Sequence, residues 1–121
     1  RHDDLATLAR QLHSRLGCAV LVKGGHSTQN CARDVLCDAQ GTLIFETPAV
    51  VEPLSTHGTG CSLSAAIAAA LACGHNLRTA VRYGKAYVYA ALQSGEWVGE
   101  RATVLGMPPR LPLELVAEEQ I

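Results

Sequence analysis

The segment STHGTGCSLSAAIAAALACG, residues 55–74, places a glycine turn and a thiol directly before an alanine-rich helix. The first backbone N–H groups of a helix have no acceptor within it, and the macrodipole adds roughly half a positive charge there. Glycine lets the turn direct several amides at one point and lets a ligand approach the backbone closely. Gly58, Thr59, Gly60 and Cys61 therefore predict an anion-binding cradle, with the Thr59 hydroxyl as a further donor.

Cys61 adds possible reactivity to this cradle. A thiol in the first turn of a helix feels the dipole, which lowers its pKa and makes it a usable base or nucleophile. Two alternatives stay open at this point. The glycines could only cap the helix, and Cys61 could be a buried small residue selected for its size. The spacing also differs from that of a Walker A loop.

A metal site is not predicted. His26 and His57, together with Cys31, Cys37 and Cys61, do not follow the ligand spacing of known zinc sites. The two histidines are therefore interpreted as polar loop residues beside a ligand. The cysteines outside the glycine turn are interpreted as structural.

Hydrophobic periodicity predicts the first elements around the cradle. Leu5–Leu16 reads as a helix capped by Asp3 or Asp4 and ended by Gly17. The run CAVLVKGG, residues 18–25, predicts a strand buried on both faces, which is typical of a parallel sheet flanked by helices.

The rest of the chain predicts a hairpin, two helices and a tail. Residues 34–50 indicate two strands that turn near 39–41. The alanine-rich helix stops at Gly74, and a second helix covers about 77–94. This order is typical of the α/β class. The composition changes after residue 98, so we predict one domain over 1–98 and an extended or partly disordered tail over 99–121.

Composition excludes several classes of function. The 121 residues carry a net charge of −1 without a basic stripe, which argues against a nucleic-acid partner. The longest apolar stretch, 65–73, is too short to cross a membrane, and no signal peptide is recognisable. Five cysteines without a CxxC pair favour a cytoplasmic location. Because the chain begins at Arg1 without methionine, we expect a processed chain or a piece of a longer one.

Four segments together resemble the C-terminal half of a hydroxymethylpyrimidine/phosphomethylpyrimidine kinase, the thiamin-pathway member of the ribokinase-like superfamily. The THGTGC sequence is the most specific of them, because most sugar and nucleoside kinases of the superfamily have Asp where Cys61 stands. The segments, in the order and spacing of that family, are VLVKGGH at 20–26, DVLCDAQG at 34–41, THGTGCSLSAAIAAALACG at 56–74 and AVRYGKAYVYAAL at 80–92. The resemblance implies the C-terminal part of a three-layer α/β/α fold with a mostly parallel sheet and a β-hairpin.

The resemblance also implies an activity and roles for residues. The activity would be ATP-dependent phosphorylation of hydroxymethylpyrimidine or its phosphate in thiamin biosynthesis, with Mg²⁺. The residues Gly58–Cys61 would surround the transferred phosphoryl group, and Cys61 would accept or orient the hydroxyl proton. The nucleotide would lie near Lys23, Gly24 and Gly25.

His57 would also lie beside the nucleotide, and Lys85 would lie towards its adenine. Alternatively, Lys85 is a solvated helix lysine and Lys23 is only a charge at the end of a strand.

Kinases of this family are about twice as long as the chain, and their N-terminal half supplies most of the pocket for the pyrimidine alcohol. We therefore expect little turnover from the chain alone, and either a missing N-terminal half or self-association into a homo-oligomer as its partner. Pyridoxal/pyridoxine kinase of the same superfamily is an alternative. So are a non-catalytic nucleotide-binding fragment and a thiol enzyme that uses Cys61 with His57 or His26.

Overall fold

The computed structural model describes residues 2–24, 31–48, 59–93, 96–98, 102–104 and 111–121. These residues belong to two compact units, Arg1–Ala49 with Ala117–Ile121 and Val50–Val116, which are called unit 1 and unit 2 below. The elements, in chain order, are α1 (His2–Leu16), β1 (Val20–Lys23), β2 (Cys31–Asp38), β3 (Gly41–Pro48), α2 (Thr59–Ala72), α3 (Leu77–Gln93), β4 (Glu96–Val98), β5 (Ala102–Val104), a short 3-10 helix (Leu113–Leu115) and β6 (Ala117–Gln120).

Unit 1 is a four-stranded sheet with one helix packed on it. The strand order is β1-β2-β3-β6, and each neighbouring pair is antiparallel. The predicted hairpin is confirmed, because β2 and β3 are joined at Ala39 and Gln40. Asp38 accepts a hydrogen bond from the Gln40 N–H at 2.8 Å, and Gly41 follows with φ of 126°. That φ is one that glycine adopts at low cost.

The core of unit 1 lies between α1 and one face of the sheet. The predicted first helix is confirmed, and Gly17 ends it with φ of 72° and its N–H bonded to the carbonyl of His13. The predicted cap at Asp3 or Asp4 is wrong, because the helix already begins at His2, and the apolar residues Leu8 and Leu16 are exposed. On the α1 side the Arg10 guanidinium donates to the Thr42 hydroxyl at 3.1 Å. The buried cluster consists of Ala6, Ala9, Val35, Cys37 and Ile44, with Leu5 and Val22 packed against it.

The predicted parallel sheet is wrong for the described residues, since all pairings are antiparallel. A parallel neighbour needs a crossover of about a dozen residues or more, whereas only residues 24–30 link β1 to β2. The predicted burial of β1 on both faces is also wrong. Val20–Val22 are half-buried and Lys23 is exposed, because β1 lies at an edge of this sheet.

Unit 2 is built on the antiparallel contact of α2 and α3. Its predicted helices are confirmed, and the link between them is capped at both ends. Gly74, with φ of 96°, ends α2 while the N–H of His75 bonds to the carbonyl of Ala70. Asn76 begins α3, because its side-chain oxygen accepts the N–H of Thr79 at 2.9 Å.

The two helices are in close contact at Gly84. A Cβ atom built on Gly84 would lie 2.9 Å from Cγ1 of Ile67 and 3.0 Å from Cδ1 of Leu63. The absence of a side chain at Gly84 therefore lets α3 lie directly against the first turns of α2. Most of the remaining buried face of α3 is formed by small or aromatic residues: Ala80, Val81, Ala86, Tyr89, Ala90 and Ala91.

The segment predicted to be a tail contains regular structure where it is described. Residues 102–104 pair with β4, and the Arg82 guanidinium donates to the carbonyl of Leu113 at 3.0 Å, which holds the 3-10 helix on α3. Residues 117–120 form β6, paired with β3. The division at residue 98 stays a prediction. Within the described ranges, no helix has the length and apolar character needed to cross a bilayer.

Candidate functional site

Three of the four residues predicted to form an anion cradle lie at the start of α2. Thr59, Gly60 and Cys61 are the first three residues of this 14-residue helix and therefore belong to its first turn. The backbone N–H groups of such a turn have no acceptor within the helix, and the aligned peptide dipoles make the position favourable for an anion. No acidic residue lies in this first turn to compete with one. Gly58 and His57 lie outside the described residues.

Lys85 lies on α3 in the same unit and is buried. Only 6% of it is exposed, which excludes the alternative of a solvated helix lysine. It directly follows Gly84, whose backbone contacts Leu63 one turn into α2. The structure therefore places the Lys85 backbone beside the early part of α2. A role for Lys85 in nucleotide binding stays a prediction.

The end of β1 holds two further predicted residues, Lys23 and Gly24, in unit 1. Lys23 is exposed and is the last residue of the strand. The Gly24 N–H donates both to the carbonyl of Arg33 at 2.8 Å and to the Asp34 carboxylate at 3.0 Å. A Cβ atom on Gly24 would lie 2.1 Å from that same carbonyl oxygen, so only glycine fits there. Gly25 lies outside the described residues.

Asp34 is bonded to the Gly24 N–H, and sequence reasoning gave this carboxylate no role. It is 5% exposed and sits in the β2 position directly opposite Lys23. The sequence signal for its burial was its position directly before the apolar run VLC, residues 35–37. On the neighbouring strand pair, Arg33 and Glu46 form an ion pair across β2 and β3.

The predicted site residues thus fall into two groups. Lys23 and Gly24 are adjacent in unit 1, while Thr59–Cys61 and Lys85 belong to unit 2. Among the described residues, no group of three His, Cys, Asp or Glu side chains is placed to hold a metal ion. Of the cysteines proposed as structural, Cys37 is buried, with its sulfur 3.8 Å from the Thr42 hydroxyl oxygen, whereas Cys18 and Cys73 are exposed.

Unit 2 also contains an apolar cavity of about 280 Å³. Its α2 residues come from the second half of that helix, so the cavity does not include the cradle at Thr59. The lining residues are Ala66, Ala69, Ala70, Cys73, His75, Tyr83, Tyr87 and Leu111.

Comparison with known proteins identifies the family. Residues 1–105 match the family model described as phosphomethylpyrimidine kinase. The chain belongs to that family. It is 46% identical over 96 residues to the hydroxymethylpyrimidine/phosphomethylpyrimidine kinase of Rhizobium meliloti (strain 1021). That alignment covers 77% of this chain and 36% of the relative. It is also 34% identical over 93 residues to the pyridoxine kinase of Bacillus subtilis (strain 168). That alignment covers 75% of this chain and 34% of the relative.

A solved structure shows the same fold. The pyridoxal kinase of Staphylococcus aureus, in complex with AMP-PCP and pyridoxal, superposes with a TM-score of 0.83 at 25% identity, over 98% of this chain and 44% of that one. The chain therefore has an α/β fold that matches part of a ribokinase-like structure. It spans about a third of the length of the two curated relatives.

Proposed function

We propose that this chain carries the ATP-binding and anion-hole portion of a kinase that phosphorylates hydroxymethylpyrimidine or its phosphate. The observation that carries the proposal is the start of α2 at Thr59, which makes Thr59, Gly60 and Cys61 its first turn, in a chain of the phosphomethylpyrimidine kinase family. A helix that begins at this point presents unbonded backbone amides to an anion.

The chemistry proposed for this cradle is phosphoryl transfer. The hydroxyl oxygen of the acceptor forms a bond to the γ-phosphorus of ATP, the bond from that phosphorus to the bridging oxygen breaks, and ADP leaves with the bond's electron pair. Amides from residues 58–61 stabilise the negative charge on the equatorial oxygens in transit. Cys61 accepts or orients the proton that the hydroxyl loses.

The end of β1 is proposed to hold the nucleotide. Gly24 directly follows Lys23, the last residue of β1, and ligands of open α/β sheets bind beyond the carboxyl ends of strands. Lys23, Gly25, His57 and Lys85 complete the proposed nucleotide contacts. The solved complex of the Staphylococcus aureus pyridoxal kinase with AMP-PCP supports ATP as the donor. Mg²⁺ would neutralise charge on the phosphate oxygens when bound.

A second candidate is a pyridoxal or pyridoxine kinase. It is favoured by the TM-score of 0.83 with the Staphylococcus aureus pyridoxal kinase and by the 34% identity with the Bacillus subtilis pyridoxine kinase. The proposed donor chemistry is the same for both candidates. Competition for phosphorylation between hydroxymethylpyrimidine and pyridoxal, measured with the full-length kinase that contains this sequence, would separate them.

The donor side is testable with this chain alone. We would titrate Mg-ADP into ¹⁵N-labelled protein and follow the amides of residues 58–61 and of Gly24. We expect saturable shifts at both places. The start of α3 provides a matched control, because Thr79 lies in a helix N-terminus whose amide is already bonded to Asn76.

The control separates a nucleotide site from general attraction of anions to helix ends. Equal shifts at Thr79 and Cys61 would contradict a specific cradle. An absence of shifts in folded protein would contradict nucleotide binding by this chain. Alkylation of Cys61 that is blocked by a thioester substrate, but not by nucleotide, would instead favour the thiol-enzyme alternative.

The acceptor side is proposed to come from sequence beyond this chain, or from a second copy. The described sheet has β1 and β6 at its edges, and unpaired strand edges favour association. We expect little or no phosphorylation of hydroxymethylpyrimidine by the chain alone. Robust turnover by these residues would contradict this expectation, and a monomer in light scattering would contradict self-association.

A further inference from the structure

Asp34 is a buried carboxylate within an apolar stretch of β2. Its neighbours Val35 and Leu36 are buried too, and Asp34 itself is 5% exposed. Burial of a carboxylate is costly unless hydrogen bonds compensate for the lost water. The Asp34 carboxylate accepts one such hydrogen bond from the Gly24 N–H at 3.0 Å.

This bond is not needed for the pairing of β1 with β2. The Gly24 N–H already donates to the carbonyl of Arg33 at 2.8 Å, which continues the antiparallel ladder beyond the pair Lys23 and Asp34. The carboxylate is therefore a second acceptor for an amide that has its ladder partner. Two acceptors on one N–H restrict the plane of the peptide that joins Lys23 to Gly24, and a bond to a charged acceptor is stronger than a neutral one.

The bonded amide lies where the chain leaves β1. Gly24 is held against the main chain of Arg33 so closely that a Cβ atom would meet its carbonyl oxygen at 2.1 Å. The orientation of this peptide determines the position of the Gly24 backbone at the end of β1.

We propose that Asp34 is a positioning residue for nucleotide binding. It fixes the peptide of Gly24, and with it the exit of the chain from β1, in the orientation that the nucleotide requires. This inference rests on the proposed function, which places the nucleotide at Gly24 and Gly25. Asp34 acts through the backbone and does not itself touch the nucleotide.

The test compares three variants with the wild-type chain by calorimetric titration with Mg-ADP. Asp34→Ala removes the acceptor, and we expect its Kd for Mg-ADP to rise about tenfold or more. Asp34→Asn keeps a side-chain oxygen that can accept the Gly24 N–H, and we expect a Kd within about threefold of wild type. Glu46→Ala removes a carboxylate from the facing strand that bonds to Arg33 and not to Gly24, and we expect a change below about twofold.

A second measurement reports the contact without nucleotide. Hydrogen exchange of the Gly24 amide should be faster in Asp34→Ala than in Asp34→Asn or Glu46→Ala. If Asp34 had only a structural role, each variant would lose Mg-ADP affinity only as far as it lost folding stability. The free energy of unfolding is therefore measured for each variant by circular dichroism in urea.

The outcomes are distinguishable. If the wild type does not bind Mg-ADP, the proposed function fails and this inference falls with it. If the wild type binds and Asp34→Ala binds equally well, only the role of Asp34 is overturned. If Asp34→Ala does not fold, Asp34→Asn decides: a tenfold loss of affinity with an unchanged Gly24 exchange rate would overturn the positioning role.

Discussion

Replacement of Gly24 by alanine tests the close approach of β1 and β2 most directly. The new Cβ atom would lie 2.1 Å from the carbonyl oxygen of Arg33 and 3.0 Å from Cδ1 of Leu5. The Leu5 methyl group can move aside by side-chain rotation. The carbonyl oxygen cannot, because it belongs to the backbone of β2, so the two main chains must separate by about 1 Å to restore an ordinary contact.

The expected cost follows from the bonds that this separation breaks. The Gly24 N–H loses its bond to Arg33 and its bond to the Asp34 carboxylate. A neutral hydrogen bond contributes about 0.5–1.5 kcal/mol and one to a charged group about 1.5–3 kcal/mol. We therefore expect Gly24→Ala to destabilise unit 1 by about 2–4 kcal/mol, a large share of the stability of a small domain.

The buried thiol of Cys37 provides a local assay. Cys37 lies in the core of unit 1 and pairs with Val20 of β1, so it reacts only when the sheet opens. Its alkylation rate, measured by mass spectrometry, should rise about 30-fold or more in Gly24→Ala. The exposed Cys18 in the same unit serves as an internal standard for the reagent.

Gly17→Ala is the matched control for this substitution. A Cβ atom on Gly17 would meet nothing within 4 Å, and the cost comes only from its φ of 72°. That cost is about 1–2 kcal/mol. If Gly24→Ala accelerates the alkylation of Cys37 no more than Gly17→Ala does, the steric argument is refuted.

Three further predictions concern unit 2. Gly84→Ala should lower the free energy of unfolding in urea by up to about 2 kcal/mol, because the clash with Ile67 and Leu63 outweighs the gain of about 1 kcal/mol in helix propensity. A net stabilisation would contradict this expectation and show that the helices separate easily. Asn76→Ala should cost about 1 kcal/mol by loss of the cap on α3, whereas Asn76→Asp should restore most of it in the same experiment. Cys61→Ser should keep its Mg-ADP affinity within about twofold by calorimetry, because the proposed cradle is made of backbone amides; a tenfold loss would assign the thiol itself to binding.

Local signals predicted most of the secondary structure. The helix that ends at Gly17, the hairpin turn at 39–41 and the helix that ends at Gly74 follow from periodicity and from glycines with positive φ. These signals act over a few residues, so a sequence displays them directly. The family was also recognisable, because the THGTGC turn and three flanking segments occur in a fixed order.

The direction and the neighbours of β1 were not predictable in the same way. An apolar run shows that a strand is at least partly buried, but it does not specify the strand that pairs with it or whether it lies at an edge. The length of the link did contain information: residues 24–30 are too few for a helical crossover, which favours the antiparallel pairing observed.

Two candidate-site findings depended on tertiary contacts. The bond between Asp34 and Gly24 joins residues of adjacent strands, and no local pattern indicates which amide a buried carboxylate will bind. The burial of Lys85 had a weak signal, since it lies four residues after Val81 and four before Tyr89, both of which are buried. A lysine on such a stripe more often extends its charge to solvent, which is why the solvated alternative had stayed open.

The pairing of β6 with β3 has a consequence for the newly made chain. The side chain of Gln120 donates to the carbonyl of Thr42, which lies 78 residues earlier. At ribosomal rates of about 5–20 residues per second, β3 emerges roughly 4–15 s before the strand that covers its outer edge. During that interval the α2–α3 pair can fold through contacts between neighbouring helices, while Leu43, Ile44 and Phe45 stand on an open edge. The nascent protein is therefore most exposed to aggregation or chaperone capture in the seconds before β6 arrives.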